Sequence, residues 1–221
     1  MASTVLITGA NRGIGLALSK IYADRGDRVI GVCRQSSEQL NALAVEIIDG
    51  IDLAKPEDIE KLRESLNGRV VDLLINNAGI LRSMSLDTLD YAQIMSQFEV
   101  NAVAPLRVVE TLLPNLMSGS KIAMITSRMG SIEDNSSGGT YGYRMSKTAL
   151  NAAGKSLAID LKPKGIAVAL LHPGYVKTEM VNYSGEISPS LAAERLSERI
   201  DELNLDNSGS FWHSNGQELP W

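Results

Sequence analysis

The sequence has few of the residues that build metal centres or disulfide frameworks. Its 221 residues include one cysteine, Cys33, and two histidines, His172 and His213. A single cysteine cannot form an internal disulfide, and so few sulfur and imidazole ligands leave little room for a metal site. We therefore expect no metal centre, and we interpret Cys33 as a small buried apolar residue.

Excess positive charge and long apolar runs are also missing. The chain has 21 Lys and Arg against 26 Asp and Glu, a net charge of −5. Nucleic-acid binding needs a basic surface that displaces counterions, so we expect no nucleic-acid partner. No apolar run approaches the roughly 20 residues of a membrane span. The first residues, MASTVLITGA, lack the basic region and cleavage site of a signal peptide, which favours a cytoplasmic protein without membrane contact.

Apolar runs alternate with amphipathic segments along nearly the whole chain, as expected for one domain over residues 1–221. Nearly continuous apolar runs are typical of strands covered on both faces, and strand–helix alternation implies right-handed crossovers. The sequence therefore predicts an α/β fold, a Rossmann-type doubly wound parallel sheet of about seven strands with helices on both faces. The predicted strands are Val5–Ile7, Val29–Cys33, Ala44–Ile48, Val70–Ile75, Lys121–Thr126, Ile166–His172 and a weaker one near Gly209–His213.

A glycine-rich loop joins the first strand to the first helix. The stretch TGANRGIG runs from Thr8 to Gly15 and holds Gly9, Gly13 and Gly15. A dinucleotide pyrophosphate needs a tight turn, a backbone that it can approach, and the free amides of a helix N-terminus, here near Ile14. An ordinary glycine turn is the alternative, and the position at the first strand–helix junction argues against it.

The residues that follow the second strand indicate which dinucleotide would bind. No carboxylate follows Cys33; Arg34 stands there, and Arg12 lies in the glycine loop. A carboxylate would repel the 2′-phosphate of NADP(H), whereas a guanidinium can bind it through paired hydrogen bonds. The alternative is that both arginines are solvated surface residues.

Tyr143 and Lys147 are four residues apart on a predicted helix, so their side chains share one face. A free tyrosine has a pKa of about 10, and a nearby ammonium lowers it, which would suit the phenol to proton transfer. Tyr141 is six residues from Lys147 and would not share that face. By itself such a pair occurs often by chance.

Six motifs follow one another along the chain: TGANRGIG, the NNAG string at residues 76–79, Asn101, Ser127 after the fifth strand, Tyr143 with Lys147, and the turn HPGYVKT at residues 172–178. Their order resembles the short-chain dehydrogenase/reductase family. The short overall length, the stretch ITSRMGSI, the extended loop between Ser127 and Tyr143 and the ending GQELPW look most like its Sniffer and C-factor branch, which includes carbonyl reductases and a cell-signalling protein. The resemblance implies a catalytic set of Asn101, Ser127, Tyr143 and Lys147.

Two members of that set have alternatives. Ser127 stands 16 residues before Tyr143, slightly more than is usual in the family, so Thr126 and Ser131 are fallback hydroxyls. Pro105 lacks the amide that would bond the Asn101 carbonyl, which leaves that oxygen free to hold a water of the family's proton relay; a simple proline kink is the other interpretation.

His172, at the end of the sixth predicted strand, is expected to be structural.

The resemblance also implies NADP(H), preferred over NAD(H), as cofactor. The implied cofactor-binding residues are Gly9, Asn11, Arg12, Gly13, Ile14, Gly15, Arg34, Asp52, Leu53, Asn77, Ala78, Gly79, Tyr143, Lys147, Pro173, Gly174, Val176 and Thr178.

The expected function is that of an NADPH-dependent carbonyl reductase or alcohol dehydrogenase acting on a small molecule. One alternative is a 3-oxoacyl-carrier-protein reductase, in which Arg82 could meet the acidic carrier. Another is a non-catalytic dinucleotide-binding protein with a signalling or regulatory role. The resemblance further suggests a homodimer or homotetramer built on the helices that carry Asn101 and Tyr143.

Overall fold

The computed structural model describes residues 2–221, which form the predicted alternation of strands and helices. The strands are β1 (Thr4–Thr8), β2 (Arg28–Val32), β3 (Glu46–Ile48), β4 (Leu73–Asn76), β5 (Lys121–Ile125), β6 (Ala167–His172) and β7 (Phe211–His213). The helices are α1 (Gly13–Asp24), α2 (Glu38–Asn41), α3 (Pro56–Leu66), α4 (Tyr91–Phe98), α5 (Ala104–Leu112), α6 (Tyr141–Leu161) and α7 (Pro189–Glu202).

The seven strands form one sheet in the order β3-β2-β1-β4-β5-β6-β7, and every neighbouring pair is parallel. The winding direction reverses between β1 and β4. In such sheets, ligands bind outside the carboxyl ends of the strands at this switch point, because the loops on either side diverge there and leave a crevice. The predicted Rossmann-type fold is confirmed.

Alternate side chains of each strand supply two apolar layers. In β1, Leu6 faces a layer built with α3, α5 and α6, whereas Val5 and Ile7 face a layer built with α1 and α7. All three side chains are almost completely buried. The continuous apolar character of the strand therefore reflects helices on both faces.

The boundaries of the predicted strands are corrected, by one residue at an end of β5 (to Ile125) and β6 (from Ala167) and by one to three residues elsewhere. Strand β3 begins at Glu46 and not at Ala44, and β2 ends at Val32, one residue before Cys33, which is buried as expected. Strand β4 begins at Leu73 rather than Val70 because the Val71 amide bonds the Asn115 carbonyl (2.8 Å) instead of a neighbouring strand.

The segment between α4 and α5 is a short π-helical turn, Glu99–Val103. The Ala104 amide bonds the Glu99 carbonyl five residues back, and Pro105, which has no amide, follows immediately. The widened turn accommodates the proline without ending the helical path, so the helix is interrupted just before Pro105 by a π-turn. Asn101 lies at its centre.

Among residues 2–221, no helix has both the length and the apolar composition needed to cross a membrane.

Candidate active site

The glycine loop makes a turn that only glycine allows. Gly9 and Gly13 have φ angles of +68° and +55°, in the left-handed region. A Cβ atom on Gly15 would lie 2.2 Å from the Gly9 carbonyl oxygen, so the loop closes directly on the helix. Helix α1 has no side-chain cap at Arg12 and no acidic residue in its first turn. Its N-terminal amides are therefore free to bind an anion.

The NNAG segment is tied to this loop across the switch point. The Thr8 hydroxyl accepts hydrogen bonds from the Asn77 and Ala78 amides, at 3.0 and 3.1 Å. In return, the Asn77 side chain donates to the carbonyls of Thr8 (2.9 Å) and Gly9 (3.2 Å). Two chain segments about 70 residues apart thus form one rigid wall.

Tyr143 and Lys147 lie on the same face of α6, as the spacing predicts, and both are buried. The Lys147 Nζ is 5.8 Å from the centre of the Tyr143 ring and donates to the Ile125 carbonyl at 2.9 Å. Tyr141 is 36% exposed, against 8% for Tyr143. The structure therefore separates the two tyrosines in the expected way.

The pKa of Tyr143 differs from the prediction that the nearby ammonium lowers it. Burial raises the pKa of Tyr143 to about 12, and a hydrogen bond with the Ser127 side chain acts in the opposite direction. Burial also lowers the pKa of Lys147 to about 8. The expected lowering of the phenol pKa by the ammonium is thus not found, because burial is the largest influence and the only one that lowers this pKa is the hydrogen bond with Ser127.

Ser127 lies beside Tyr143 because a short 3₁₀ turn, Arg128–Gly130, packs tightly against α6. Ser127 caps this turn by accepting a hydrogen bond from the Met129 amide at 3.1 Å. A Cβ atom on Gly130 would lie 2.7 Å from the Lys147 carbonyl carbon, so only glycine permits this approach.

The two alternative hydroxyls have structural partners. The Thr126 hydroxyl donates to the Asn151 side chain at 2.6 Å, and the Ser131 hydroxyl donates to the Trp221 carbonyl at 2.9 Å. Of the three, Ser127 is the one whose hydrogen bonding lowers the pKa of Tyr143.

Asn101 is completely buried and holds the chain next to the site. Its side-chain oxygen accepts from the Ile80 amide and its side-chain nitrogen donates to the Ile80 carbonyl, both at 2.8 Å. The same nitrogen is 3.0 Å from the Ser146 hydroxyl on α6. The side chain therefore links the loop after β4 to the helix of Tyr143 and Lys147.

A cavity of about 360 Å³ brings most of the predicted residues together. A wider cavity of about 980 Å³ adjoins it and includes Arg34, Asp52 and residues 79–83. Arg12 and Gly79 line both. The predicted residues that line the smaller cavity are Gly9, Asn11, Arg12, Gly13, Ile14, Asn77, Ala78, Gly79, Tyr143, Lys147, Pro173 and Thr178.

Six predicted residues line neither cavity. Leu53 is the clearest difference, because its side chain packs in the core layer beside α3. Each of the others is next in the chain to a residue that lines one of the two cavities. They are Gly15, Asn101, Ser127, Gly174 and Val176.

The surroundings of Arg12 also differ from the expectation. Its guanidinium forms an ion pair with Glu179, and both side chains are exposed. Glu179 stands in the segment after Thr178 and lines both cavities. Arg34 has no carboxylate within salt-bridge distance in the described part of the chain. The charge excess expected from two arginines is therefore partly balanced by an acidic residue.

The turn after β6 closes the site from the other side. Gly174 has a φ of +95°, and Val176 pairs with Ile187, which folds the intervening segment back over the cavity mouth. His172 is buried at the end of β6, and its ring is nearly perpendicular to that of His213. Burial lowers the pKa of His172 to about 3, so the ring is neutral near pH 7, as a structural histidine would be.

The sequence profile described as short chain dehydrogenase matches residues 3–187. The chain belongs to this family. It is 40% identical to a 1-hydroxy-2-glutathionyl-2-methyl-3-butene dehydrogenase from a Rhodococcus species, over 99% of this chain and all of that protein. It is also 44% identical to the C-signal of Myxococcus xanthus, over 68% of this chain and 93% of that protein.

The fold is similar to those of solved carbonyl reductases of the same family. The carbonyl reductase Sniffer of Drosophila melanogaster superimposes with a TM-score of 0.90 at 31% identity, covering both chains completely. An NADPH-bound carbonyl reductase from chicken fatty liver gives a TM-score of 0.90 at 27% identity, covering 100% of this chain and 99% of the other. The predicted resemblance to the Sniffer branch is thus confirmed.

The sequence predicts no structural role for three residues at the site. Thr8 belongs to the glycine-loop motif, but its hydrogen bonds across the switch point could not be predicted. Gln97 is completely buried and bonds the backbone of Arg82, and Glu179 pairs with Arg12. The only available signal for Gln97 was a polar residue four positions before Asn101 on the buried face of its helix.

Proposed function

We propose that this protein is an NADPH-dependent oxidoreductase that interconverts a carbonyl group and an alcohol. The single observation that carries the proposal is the meeting of Ser127, Tyr143 and Lys147 beside the glycine-loop cavity. The family membership and the carbonyl reductases of the same fold support it.

The residues present fit a bound nicotinamide dinucleotide. The free amides of α1 and the left-handed glycines suit a pyrophosphate, and the cavity continues from them to Tyr143 and Lys147. Pro173 and Thr178 line the same cavity on the side of the expected nicotinamide. The dinucleotide, when bound, supplies or accepts the hydride.

The proton chemistry falls to the buried hydroxyl pair. Because burial holds the pKa of Tyr143 at about 12, the phenol is protonated near neutral pH and can donate its proton to a carbonyl oxygen. The Ser127 hydroxyl, held beside it by the turn at Gly130, can donate a second hydrogen bond to that oxygen. Two fixed donors stabilise negative charge as it develops on the oxygen.

Lys147 has two roles in this proposal. Its ammonium donates to the Ile125 carbonyl, which fixes its position under the Tyr143 ring. In reduction, the phenol loses a proton, and a positive charge nearby stabilises the phenolate that remains. Its other hydrogen atoms are free to bind ribose hydroxyls of the dinucleotide.

A preference for NADPH rests on Arg34 and Arg12. Both line the wider cavity near Asp52, and guanidinium groups bind a phosphate with paired hydrogen bonds. The NADPH-bound carbonyl reductase of the same fold supports this assignment.

The experiment that tests the proposal measures NADPH oxidation with a panel of aldehydes, ketones and quinones, and repeats it with NADH. Because the Rhodococcus relative acts on a glutathionyl alcohol by its name, glutathione conjugates belong in the panel. We expect turnover with at least one carbonyl class and a preference for NADPH.

Tyr143→Phe provides the decisive variant and Tyr141→Phe its matched control, because the two tyrosines lie two residues apart on one helix. Removal of the general acid lowers kcat by about 10²–10⁴-fold. We expect that loss for Tyr143→Phe and wild-type kcat for Tyr141→Phe. Equal rates for Tyr143→Phe and wild type would overturn the assignment.

The similarity to C-signal favours one second candidate, a signalling protein that binds a dinucleotide without turning over a substrate. This candidate predicts NADPH binding, measured by quenching of protein fluorescence, with no oxidation of NADPH by any substrate of the panel.

A further inference from the structure

We propose that Arg82 recognises an anionic group on the substrate, so that the preferred substrates are carbonyl or alcohol compounds carrying a carboxylate. The inference rests on the proposed function, because it concerns the substrate side of the same site.

Arg82 lies in the segment 79–83, here called the wall, which runs from near Lys147 along the wider cavity. The wall begins at Gly79, where an added Cβ would lie 3.2 Å from the Asn101 side-chain oxygen and 3.7 Å from the Lys147 Nζ. Residues 79–83 all line the cavity of about 980 Å³. Gly79 lines both cavities, so a substrate that reaches Tyr143 from the wider cavity would pass along this segment.

Two buried amide side chains hold the segment in a fixed register. Asn101 bonds both the amide and the carbonyl of Ile80. Four residues earlier on the same helical path, Gln97 does the same for Arg82, accepting from its amide at 2.8 Å and donating to its carbonyl at 3.3 Å. Both side chains are completely buried. Both backbone polar groups of Arg82 are thus hydrogen-bonded, although the residue lies in a loop.

Gln97 also connects this wall to the helix of the reactive tyrosine. A Cβ atom on Gly142, the residue before Tyr143, would lie 2.5 Å from the Gln97 side-chain nitrogen. The glycine therefore makes room for Gln97 at the start of α6. Through this contact, the position of Arg82 is set relative to Tyr143.

The Arg82 guanidinium has no anionic partner of its own. Its hydrogen bond within the chain is to the adjacent Leu81 carbonyl at 3.1 Å, and among residues 2–221 no carboxylate comes within 4 Å. Of the other arginines lining this cavity, Arg12 pairs with Glu179, and Arg34 is assigned to the cofactor phosphate.

The polar side chains that α4 contributes to the cavity are neutral and suited to a carboxylate; the cavity's own carboxylates are Asp52 and Glu179, and Glu179 pairs with Arg12. Gln93 and Ser96, one helical turn apart on α4, line the same cavity and can donate hydrogen bonds. A planar guanidinium binds a carboxylate with two parallel hydrogen bonds, and charged hydrogen bonds are the stronger kind. The loss of such a contact lowers kcat/KM by about 10-fold or more.

The experiment uses a series of straight-chain aldehydes with a terminal carboxylate, each paired with its primary amide, so that chain length varies at fixed chemistry. The variants are Arg82→Gln and the control Arg63→Gln, an exposed arginine of α3 that pairs with Glu60. For wild type and the control, we expect at least one carboxylate to exceed its amide in kcat/KM. In Arg82→Gln we expect the carboxylate to lose about 10-fold, mainly through KM, with the amide and NADPH affinity unchanged.

Three results would overturn the inference. In Arg82→Gln, kcat/KM could fall equally for the carboxylate and the amide, or it could fall for neither. Alternatively, it could fall only for substrates attached to an acyl carrier protein. The alcohols that correspond to the aldehydes are also titrated calorimetrically in the presence of NADPH, without turnover. If the carboxylated alcohol binds wild type more tightly than Arg82→Gln while no aldehyde is reduced, the anion site stands and the proposed reaction fails.

Discussion

The hydrogen bonds of Thr8 lead to a sharp prediction about how the site is held together. Thr8→Val keeps the shape of the side chain and removes its hydroxyl oxygen. In the wild type that oxygen accepts from the Asn77 and Ala78 amides, and Thr8 itself is 1% exposed. The valine variant leaves both amides without their acceptor.

The magnitude follows mainly from these two bonds, because the third bond of the hydroxyl, its donation to the Ile75 carbonyl, is long at 3.4 Å. A typical intramolecular hydrogen bond contributes about 1 kcal/mol, and an unsatisfied buried donor costs about 1–3 kcal/mol. Both amides are partly buried, so the lower part of that range applies to each, and we expect Thr8→Val to lose about 2–3 kcal/mol of stability. For a chain of this length that lowers Tm by about 4–12 °C. The affinity for NADPH should fall as well, because Asn77 and Ala78 line the cavity proposed to hold the cofactor.

Urea denaturation followed by circular dichroism measures the stability, and fluorescence titration measures the affinity for NADPH. Thr8→Ser is the matched control, since it retains the acceptor and loses one methyl group. We expect it to lie closer to wild type than Thr8→Val does. If Thr8→Val unfolds within 0.5 kcal/mol of wild type, roughly the scatter of ordinary surface substitutions, the hydroxyl does not hold the two segments together.

Two further predictions concern charge and pH. Arg34→Gln should weaken NADPH binding by about 10-fold and leave NADH binding unchanged, because only NADPH carries the 2′-phosphate; an equal change for both cofactors in fluorescence titrations would contradict this role. His172 has a pKa of about 3 in the folded protein against about 6.5 in the unfolded chain, which therefore binds the proton first as the pH falls. Stability should decrease between pH 6.5 and pH 3, by about 3 kcal/mol at pH 4, and His172→Gln should show a shallower decline in urea titrations across that range.

Much of the fold and part of the site could be predicted because they depend on short-range spacing. The strand alternation of β1 (Val5 and Ile7 to one face, Leu6 to the other) follows from the period of an extended chain. The same holds for Tyr143 and Lys147, which the helical period brings to one face. The glycines of the first loop could be interpreted because their conformation is a local property.

The remaining features join residues that are distant in the chain. The bonds from Thr8 to Asn77 and from Gln97 to Arg82, and the ion pair of Arg12 with Glu179, depend on how separate segments meet. The protonation of Tyr143 belongs with them. Proximity to Lys147 predicts a lowered pKa, but the packed surroundings exclude water and raise it instead. The sequence by itself determined the order of the elements and the shared helical face of Tyr143 and Lys147, because both follow from periodicity, whereas the proposed catalytic set follows from the family resemblance. Only the tertiary structure decided how those groups are held, paired and solvated, because burial and long-range contacts arise only when the chain is folded.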